Sequence, residues 1–174
     1  CHHVLATLAE PDDALVTAVA PSKSFNMPGL GLSALVIPDQ SRRQTIKAVF
    51  DQMHLPQCNP FSVAGFEAGY RAGGRWLDQL MEYLQGNRDF VVDAVDRLPG
   101  ITTFAPEGTY LMWLDCRELG LDDAGLKRFF VQDAGVGMNP GISFGEPGSG
   151  FMRLNIGCPR QTLVEVLDRI EQAL

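Results

Sequence analysis

Two short apolar runs, residues 14–19 and 32–37, stand out near the start of the chain, and each is bounded by proline or glycine. Their length and their content of β-branched residues predict two strands. The segment that joins them is too short to include a covering helix, whereas parallel neighbours need a crossover of about a dozen residues or more. We therefore expect the two strands to pair antiparallel if they are neighbours.

Apolar residues spaced three and four positions apart predict three helices in the middle of the chain. The first begins after Pro38, with Asp39 or Ser41 as its N-cap, and the second begins near Pro60. The third and longest covers residues 75–98, and its apolar stripe indicates packing rather than a chemical role. The stripe consists of Leu77, Leu80, Met81, Leu84, Val91, Val95 and Leu98.

The last part of the chain alternates between strand and helix patterns. A helix is predicted from Asp122 or Asp123 through Ala134, and a final helix follows Pro159, because proline suits a first helical turn. The predicted strands are residues 101–105, 109–115, 135–138 and 151–156. This order of elements is typical of a compact α+β domain.

The whole pattern predicts an α/β chain with two domains. Residues 1–75 form the end of an α/β domain, residues 76–98 form a long connecting helix, and residues 99–174 form a small α+β domain. The chain begins with Cys1 rather than methionine and runs directly into a patterned segment. We therefore expect it to be the C-terminal part of a longer protein.

Composition and charge exclude several classes of function. The chain has 174 residues, of which 45% are hydrophobic and 20% are charged, an ordinary balance for a globular protein. Its net charge of -7 argues against partners such as nucleic acids or anionic membranes, because binding them requires clustered lysine and arginine. No apolar run approaches the roughly 18 residues of a membrane helix.

The cysteine and histidine residues predict neither a disulfide framework nor a metal site. The cysteines are Cys1, Cys58, Cys116 and Cys158. They lie far apart without a CxxC pair, which indicates a reduced protein and a cytoplasmic location. His2 and His3 adjoin Cys1, but adjacent residues seldom share one face, so we predict no metal ligation there.

Lys23 is the first candidate catalytic residue. It lies in a segment rich in proline and glycine between the two apolar runs, which predicts a tight loop with apolar neighbours. A lysine that is partly buried there can lose its proton and act as a base, or as a nucleophile that forms a Schiff base with an aldehyde. From the residues alone, an exposed lysine in a turn remains the alternative.

Arg153 is the second candidate. The alternating strand places Phe151, Arg153 and Asn155 on one face, and an arginine fork on a rigid strand suits a substrate carboxylate. A loop rich in glycine and proline, residues 139–150, precedes the strand and could border a site. A surface salt bridge is the alternative for this arginine. The chain contains no P-loop, no GxGxxG motif, and no serine with a placed histidine partner.

Four stretches in this order resemble one known family. They are A-P-S-K-S-F-N-M-P-G-L at residues 20–30, P-E-G-T-Y-L-M-W-L-D at 106–115, G-I-S-F-G at 141–145 and G-F-M-R-L-N-I-G-C-P-R at 150–160. Together they are similar to fold-type I enzymes that depend on pyridoxal 5'-phosphate, in the aminotransferase class I/II superfamily. More narrowly, they resemble its carbon–sulfur lyases of the cystathionine β-lyase (MalY/PatB) type. The resemblance covers nearly the whole chain.

The resemblance implies an enzyme with a defined cofactor, fold and site. The fold would be the end of a fold-type I large domain, with a mixed and mostly parallel sheet, followed by the small α+β domain. Lys23 would hold the cofactor as a Schiff base and later take the substrate Cα proton, while Arg153 would bind the α-carboxylate. Elimination of the β-substituent would release a thiol, pyruvate and ammonia. The family also implies a small amino-acid substrate and a homodimer.

Two other interpretations of the function remain open. The same residues serve an aminotransferase, if Lys23 returns the proton to the cofactor carbon. Alternatively, the chain alone is a catalytically silent fragment, because in the family the partner of the pyridine nitrogen, the stacking aromatic residue and most of the phosphate cup precede this stretch. Two positions depart from related aminotransferases: Gly31 stands where they often carry an arginine, and Ala20 where a serine is common.

Overall fold

The computed structural model of the chain describes residues 3–10, 13–55 and 58–174. Cys1 and His2, two of the residues considered as possible metal ligands in the sequence, lie outside these ranges. Within the ranges, no group of three or more His, Cys, Asp or Glu side chains is arranged to hold a metal ion. No helix in this described part of the chain combines the length and the apolar character needed to cross a membrane.

The chain divides into two compact units, Cys1–Asp78 (unit 1) and Gln79–Leu174 (unit 2). The assignment of residues 1–75 to a large cofactor-binding domain, with residues 76–98 as a connector and 99–174 as a small domain, stays a prediction. Each unit has its own sheet, with two strands in unit 1 and three in unit 2.

Unit 1 contains the two strands predicted around Lys23. They are β1 (Thr17–Val19) and β2 (Ala34–Val36), and both are shorter than the apolar runs that predicted them. They pair antiparallel, with Ala18 opposite Leu35, which confirms the expected direction of pairing.

The segment between these strands differs from the predicted loop. Residues Pro21–Ser24 form one turn of α-helix, α1, and Pro28–Leu30 form a turn of 3-10 helix. Pro21 occupies the first helical position, where its fixed φ angle and missing N–H group favour a helix start. A four-residue helix is too short to display a 3.6-residue period, so the hydrophobic pattern could not reveal it.

Three longer helices follow, as the periodicity predicted. They are α2 (Gln40–Gln52), α3 (Pro60–Ala72) and α4 (Gly74–Val95). Asp39 is the N-cap of α2, since its carboxylate accepts a hydrogen bond of 2.7 Å from the backbone N–H of Arg42. Of the two caps proposed from sequence, the aspartate is therefore correct.

The sheet of unit 2 consists of β3 (Leu111–Asp115), β4 (Asn139–Pro140) and β5 (Phe151–Asn155). All pairs are antiparallel, and β5 lies between the other two strands. The central position of β5 makes it the best-supported strand of the sheet, because both of its edges are paired.

Two predicted strands of unit 2 are wrong. Residues 101–105 contribute a single isolated bridge, between Thr102 and Asp115, instead of a ladder. Residues 135–138 form no strand, and pairing begins only at Asn139. Strand-like composition favours an extended backbone, but only a neighbouring strand turns that backbone into a sheet, and the pattern does not locate the neighbour.

Two further helices complete unit 2. Helix α5 (Asp123–Arg128) continues into a π-helical turn at Phe129–Asp133, and α6 (Arg160–Ala173) ends the chain. Asp122 caps α5 by accepting a 2.7 Å hydrogen bond from the N–H of Gly125, as one of the two sequence options proposed.

The core of unit 2 lies on one face of its sheet. Alternate residues of β3 and β5 are buried, while the residues between them stay partly or fully exposed. Apolar residues of α4, α5 and α6 join the same cluster. Its main members are Val91, Val95, Met112, Leu114, Leu126, Phe130, Met152, Leu154, Leu163 and Ile170. The other face of the sheet is therefore available for a site.

Candidate functional site

Lys23 is the third residue of α1, and its side chain is exposed. The predicted partial burial of this lysine is therefore wrong within the chain as described. The turn beneath it is well defined: Ala20 is extended, Pro21 is buried, and the N–H of Phe25 donates to the Pro21 carbonyl at 2.9 Å. The amine thus projects into solvent from a fixed stretch of backbone.

The aromatic ring of Phe25 holds this turn against α3. The ring meets Tyr70 edge-on, with 5.4 Å between centroids and 78° between planes. Gly69 in α3 and Gly73, the C-cap that follows α3, leave space for it: a Cβ atom would lie 3.0 Å from the ring at Gly69 and 2.5 Å from it at Gly73. The backbone two residues after Lys23 is therefore fixed by a contact that requires glycine on the facing helix.

A second contact with α3 fixes the far end of the same segment. The buried Ser62 hydroxyl donates a hydrogen bond to the carbonyl of Leu30. A Cβ at Gly65 would lie 2.5 Å from Cδ1 of Leu30. Glycines at positions 65, 69 and 73 recur every fourth residue, which places them on one face of a helix. This glycine spacing is a sequence signal for the face of α3 that contacts the Lys23 segment, and the hydrophobic pattern does not contain it.

Arg153 lies on the open face of β5, as the alternation predicted. Its neighbours Met152 and Leu154 are buried on the core side of the sheet. Its cross-strand partners are Trp113 on β3 and Asn139 on β4. The guanidinium therefore starts from the middle of a three-stranded sheet, where backbone movement is restrained on both sides.

The guanidinium of Arg153 has two defined contacts and one unmet donor. Nη2 donates to Oδ1 of Asn139 at 3.0 Å, and Cζ lies 4.4 Å from the centroid of the Phe144 ring. Nε is buried and has no acceptor among the described residues. No acidic side chain of the described residues forms an ion pair with this arginine, so its positive charge is available to an anion.

Aromatic rings cover the sheet beside Arg153. Trp113 stacks on Phe151 with 5.6 Å between centroids and 19° between planes. Trp113 also meets Phe144 nearly edge-on at 5.8 Å. The arginine therefore lies next to an apolar, aromatic surface.

A second arginine near this surface is neutralised. Cζ of Arg117 lies 4.9 Å from the centroid of Phe151, but its Nε and Nη2 donate to the two carboxylate oxygens of Asp115 at 2.9 and 2.6 Å. The Arg117 hydrogen bonds hold the pKa of the Asp115 carboxyl below its usual value. Of the two arginines, Arg153 is thus the one left to bind a ligand anion.

The loop that carries Phe144 is braced at both ends. Gly141 and Gly148 approach so closely that a Cβ on either would overlap the backbone carbonyl oxygen of the other. Beyond them, the Asp123 carboxylate accepts hydrogen bonds from the Ser149 hydroxyl at 2.9 Å and from the N–H of Gly150 at 3.0 Å. The loop predicted to border a site is therefore a restrained structure built from two 3-10 turns.

Sequence reasoning missed Phe25, which holds the turn that carries Lys23, and it missed Asn139 and Phe144, which contact Arg153. Phe25 and Phe144 both lie in stretches quoted for the family resemblance, but neither received a role there. The glycine spacing opposite Phe25 was a usable signal. No sequence signal pointed to Asn139, because its contact with Arg153 joins residues of two different strands that are 14 positions apart.

Comparison with known proteins identifies the family to which the sequence is similar. Residues 2–170 match the family model described as aminotransferase class I and II. The chain is 39% identical over 175 residues to cystathionine beta-lyase PatB of Bacillus subtilis (strain 168), covering 99% of this chain and 45% of that protein. It is 28% identical over 170 residues to the aspartate aminotransferase of Musicola paradisiaca (strain Ech703), covering 95% of this chain and 42% of that protein.

A solved structure shows the same fold. Cystalysin from Treponema denticola, whose crystal structure contains a pyridoxal 5'-phosphate cofactor, superposes with a TM-score of 0.84 and 31% sequence identity. The match covers 91% of this chain and 40% of that one, and it confirms the predicted α/β fold class of fold-type I enzymes. The chain spans less than half of the length of the relatives that it matches.

Proposed function

Because this chain belongs to the aminotransferase class I and II family, we propose that it forms part of a carbon–sulfur β-lyase that depends on pyridoxal 5'-phosphate. Cystathionine or a related cysteine conjugate is the substrate, and a thiol, pyruvate and ammonia are the products. The observation that carries the proposal is the exposed amine of Lys23, on a fixed turn, in a chain 39% identical to a cystathionine β-lyase.

The residues present fit covalent attachment of this cofactor. A primary amine reacts with an aldehyde only when the amine is accessible, and Lys23 is exposed while the backbone on both sides of it is held in place. The contacts to the ring and the phosphate are assigned to the part of the relatives' length that this chain does not span. Gly31 agrees with that division, because it offers no side chain to a phosphate.

The chain's own residues then have distinct tasks. Bound pyridoxal phosphate supplies an electron sink for the charge that develops at the substrate Cα. Nζ of Lys23 would hold the cofactor covalently and, when free, would accept the Cα proton of the substrate. Arg153 holds the α-carboxylate through its guanidinium N–H groups and thereby orients the Cα–H bond.

The assignment of Arg153 is supported by its electrostatic setting. It is an arginine without an ion-pair partner among the described residues, on a rigid strand beside aromatic rings. A carboxylate that reaches it gains charge-assisted hydrogen bonds beside an aromatic surface. Arg117 shares the aromatic surface but is occupied by Asp115, so it is not assigned to the substrate.

The decisive experiment traps the bond between Lys23 and the cofactor. In the intact protein loaded with pyridoxal phosphate, borohydride reduction is expected to leave the cofactor on the peptide that contains Lys23. Lys23→Ala should lose this label and lower pyruvate release from cystathionine by about 10²- to 10⁴-fold, because the proton acceptor is gone. Lys47→Ala, an exposed lysine on α2, is the control and should behave as wild type. Retention of the label by Lys23→Ala would refute the assignment.

Transamination is the second candidate, because the family and the 28% identical relative include aminotransferases. The higher identity to a β-lyase favours elimination. Pyruvate released from cystathionine in the absence of any keto-acid acceptor would support elimination. Turnover that requires such an acceptor would support transamination instead.

The intact enzyme is further proposed to be a cytoplasmic homodimer. Support comes from the reduced cysteines among the described residues and from large apolar side chains exposed on unit 1, such as Phe61 and Met53. The 174-residue chain by itself is expected to retain cofactor weakly or not at all. Light scattering of the intact protein and cofactor absorbance of the isolated chain test these two points, and a stable yellow complex of the isolated chain would contradict the second.

A further inference from the structure

We propose that Asn139 and Phe144 are positioning residues that fix the Arg153 guanidinium for a substrate carboxylate. The inference rests on the proposed function, because it assigns a task to the surroundings of the proposed carboxylate anchor. Both residues contact the guanidinium directly, Asn139 through a 3.0 Å hydrogen bond and Phe144 through a ring 4.4 Å away.

Phe144 is exposed to 53%, which is high for a phenylalanine inside a restrained loop. A ring this exposed contributes little to the core; its described ring contacts are the edge of Trp113 and the guanidinium of Arg153. Its face attracts the guanidinium and limits the rotamers that a long arginine side chain can sample. Without the ring, Arg153 would spend more time in orientations that cannot meet a carboxylate.

Asn139 offers Arg153 an uncharged hydrogen-bond acceptor. Its amide oxygen accepts one N–H of Nη2 and thereby turns the guanidinium plane, yet it carries no charge. An aspartate would fit the same space and bind the arginine more tightly, but it would neutralise the charge that attracts the substrate. A neutral acceptor is therefore what a carboxylate site needs at this position, whereas a purely structural contact would be served equally well by aspartate.

The loop between these two residues keeps Phe144 over the arginine. The close approach of Gly141 to Gly148 and the hydrogen bonds from Ser149 and Gly150 to Asp123 fix its ends. Residues 139–150 therefore join the strand neighbour of Arg153 to its ring neighbour in one restrained segment.

The test uses the intact holoenzyme and two readouts, the dissociation constant of propionate as an inert carboxylate probe, and KM and kcat for cystathionine. Asn139→Asp is expected to raise the propionate Kd and KM more than about tenfold at unchanged thermal stability. Phe144→Leu should raise both by about three- to tenfold with kcat little changed, and Phe144→Tyr should restore them, because the ring face returns. Ile142→Ala, 40% exposed on the same loop, is the matched control and should equal wild type.

Two results would overturn the proposal. One is wild-type propionate affinity in Asn139→Asp, and the other is a Phe144→Leu variant that cannot be distinguished from Ile142→Ala. In either case borohydride trapping at Lys23 would be unaffected, so the proposed function would stand. Loss of trapping in Lys23→Ala combined with unchanged propionate affinity in Arg153→Ala would instead remove the carboxylate assignment on which the inference rests.

Discussion

Unit 1 and unit 2 differ in how far their large apolar side chains are buried. In unit 2, large side chains such as Phe130 and Ile170 are completely buried in one cluster. Among the described residues of unit 1, Ile37 is the one large hydrophobic side chain that is buried. Phe61 and Trp76, by contrast, are 76% and 45% exposed. The two units have ordinary secondary structure in common, but only unit 2 has a core of its own.

This difference separates two ways of holding a functional residue. Arg153 stands on a strand whose other face is packed into a core, so its position depends on many contacts at once. Lys23 stands on a four-residue helix that is held by the contacts of its flanking residues with α3. We therefore expect the anchor of unit 2 to be robust in the isolated chain, and the anchor of unit 1 to depend on further protein surface that covers its apolar side chains.

The largest expected effect contrasts two phenylalanines. Phe130→Ala removes a fully buried ring from unit 2 and should lower the free energy of unfolding of that unit by about 3–5 kcal/mol. Phe61→Ala removes a ring that is mostly exposed on unit 1, and it should change the free energy of unfolding of unit 1 by no more than about 0.5 kcal/mol. Denaturant unfolding of the chain measures both values. Similar losses in the two variants would mean that unit 1 has a core that the described contacts do not contain.

A second contrast uses two adjacent glycines of unit 1. A Cβ at Gly73 would meet both the Phe25 ring and the Gly69 carbonyl, whereas a Cβ at Gly74 would have no atom within 4 Å. Gly73→Ala should therefore destabilise the docking of the Lys23 segment by about 1–3 kcal/mol. Gly74→Ala should be neutral or stabilise the helix by up to about 1 kcal/mol. Hydrogen exchange of residues 20–30 reports the docking, and equal exchange in both variants would contradict the role given to Phe25.

The smallest expected effect depends on pH and distinguishes two cysteines. Burial raises the pKa of the Cys116 thiol in unit 2 to about 12, and the neighbouring Asp115 charge adds to the shift. The folded state thus keeps a proton that the unfolded state loses above about pH 9, so this contribution to stability is complete below that pH and begins to fall as the pH rises above it. Cys116→Val should flatten this slope in an unfolding series. Cys58→Ser, at an exposed cysteine of unit 1, should leave it unchanged.

Much of this architecture could be predicted from sequence wherever one local rule decided the outcome. The short connection between β1 and β2 required antiparallel pairing, and the apolar period located α3 and α4 to within a few residues. Alternation along β5 placed Arg153 on the open face. In each case the information lay within a few residues of the feature that it specified.

Prediction failed where the outcome depended on partners distant in sequence. Residues 101–105 had strand-like composition but gained only one isolated bridge to β3, between Thr102 and Asp115, and no ladder. The exposure of Lys23 could not be derived from its apolar neighbours, since those neighbours turn toward α3 and away from the amine. Asn139 and Phe144 became visible only when the fold brought their loop beside β5.

The contact between Gly141 and Gly148 has a consequence for how this sequence can diverge over time. Each residue excludes a side chain on the other, and the obstacle is a main-chain carbonyl that no compensating substitution nearby can remove. A saturation library at these two positions should therefore return only glycine among folded variants, while the exposed Ile142 beside them should accept many residues. We therefore expect related sequences either to keep both glycines and this turn, or to replace the whole loop with a different one.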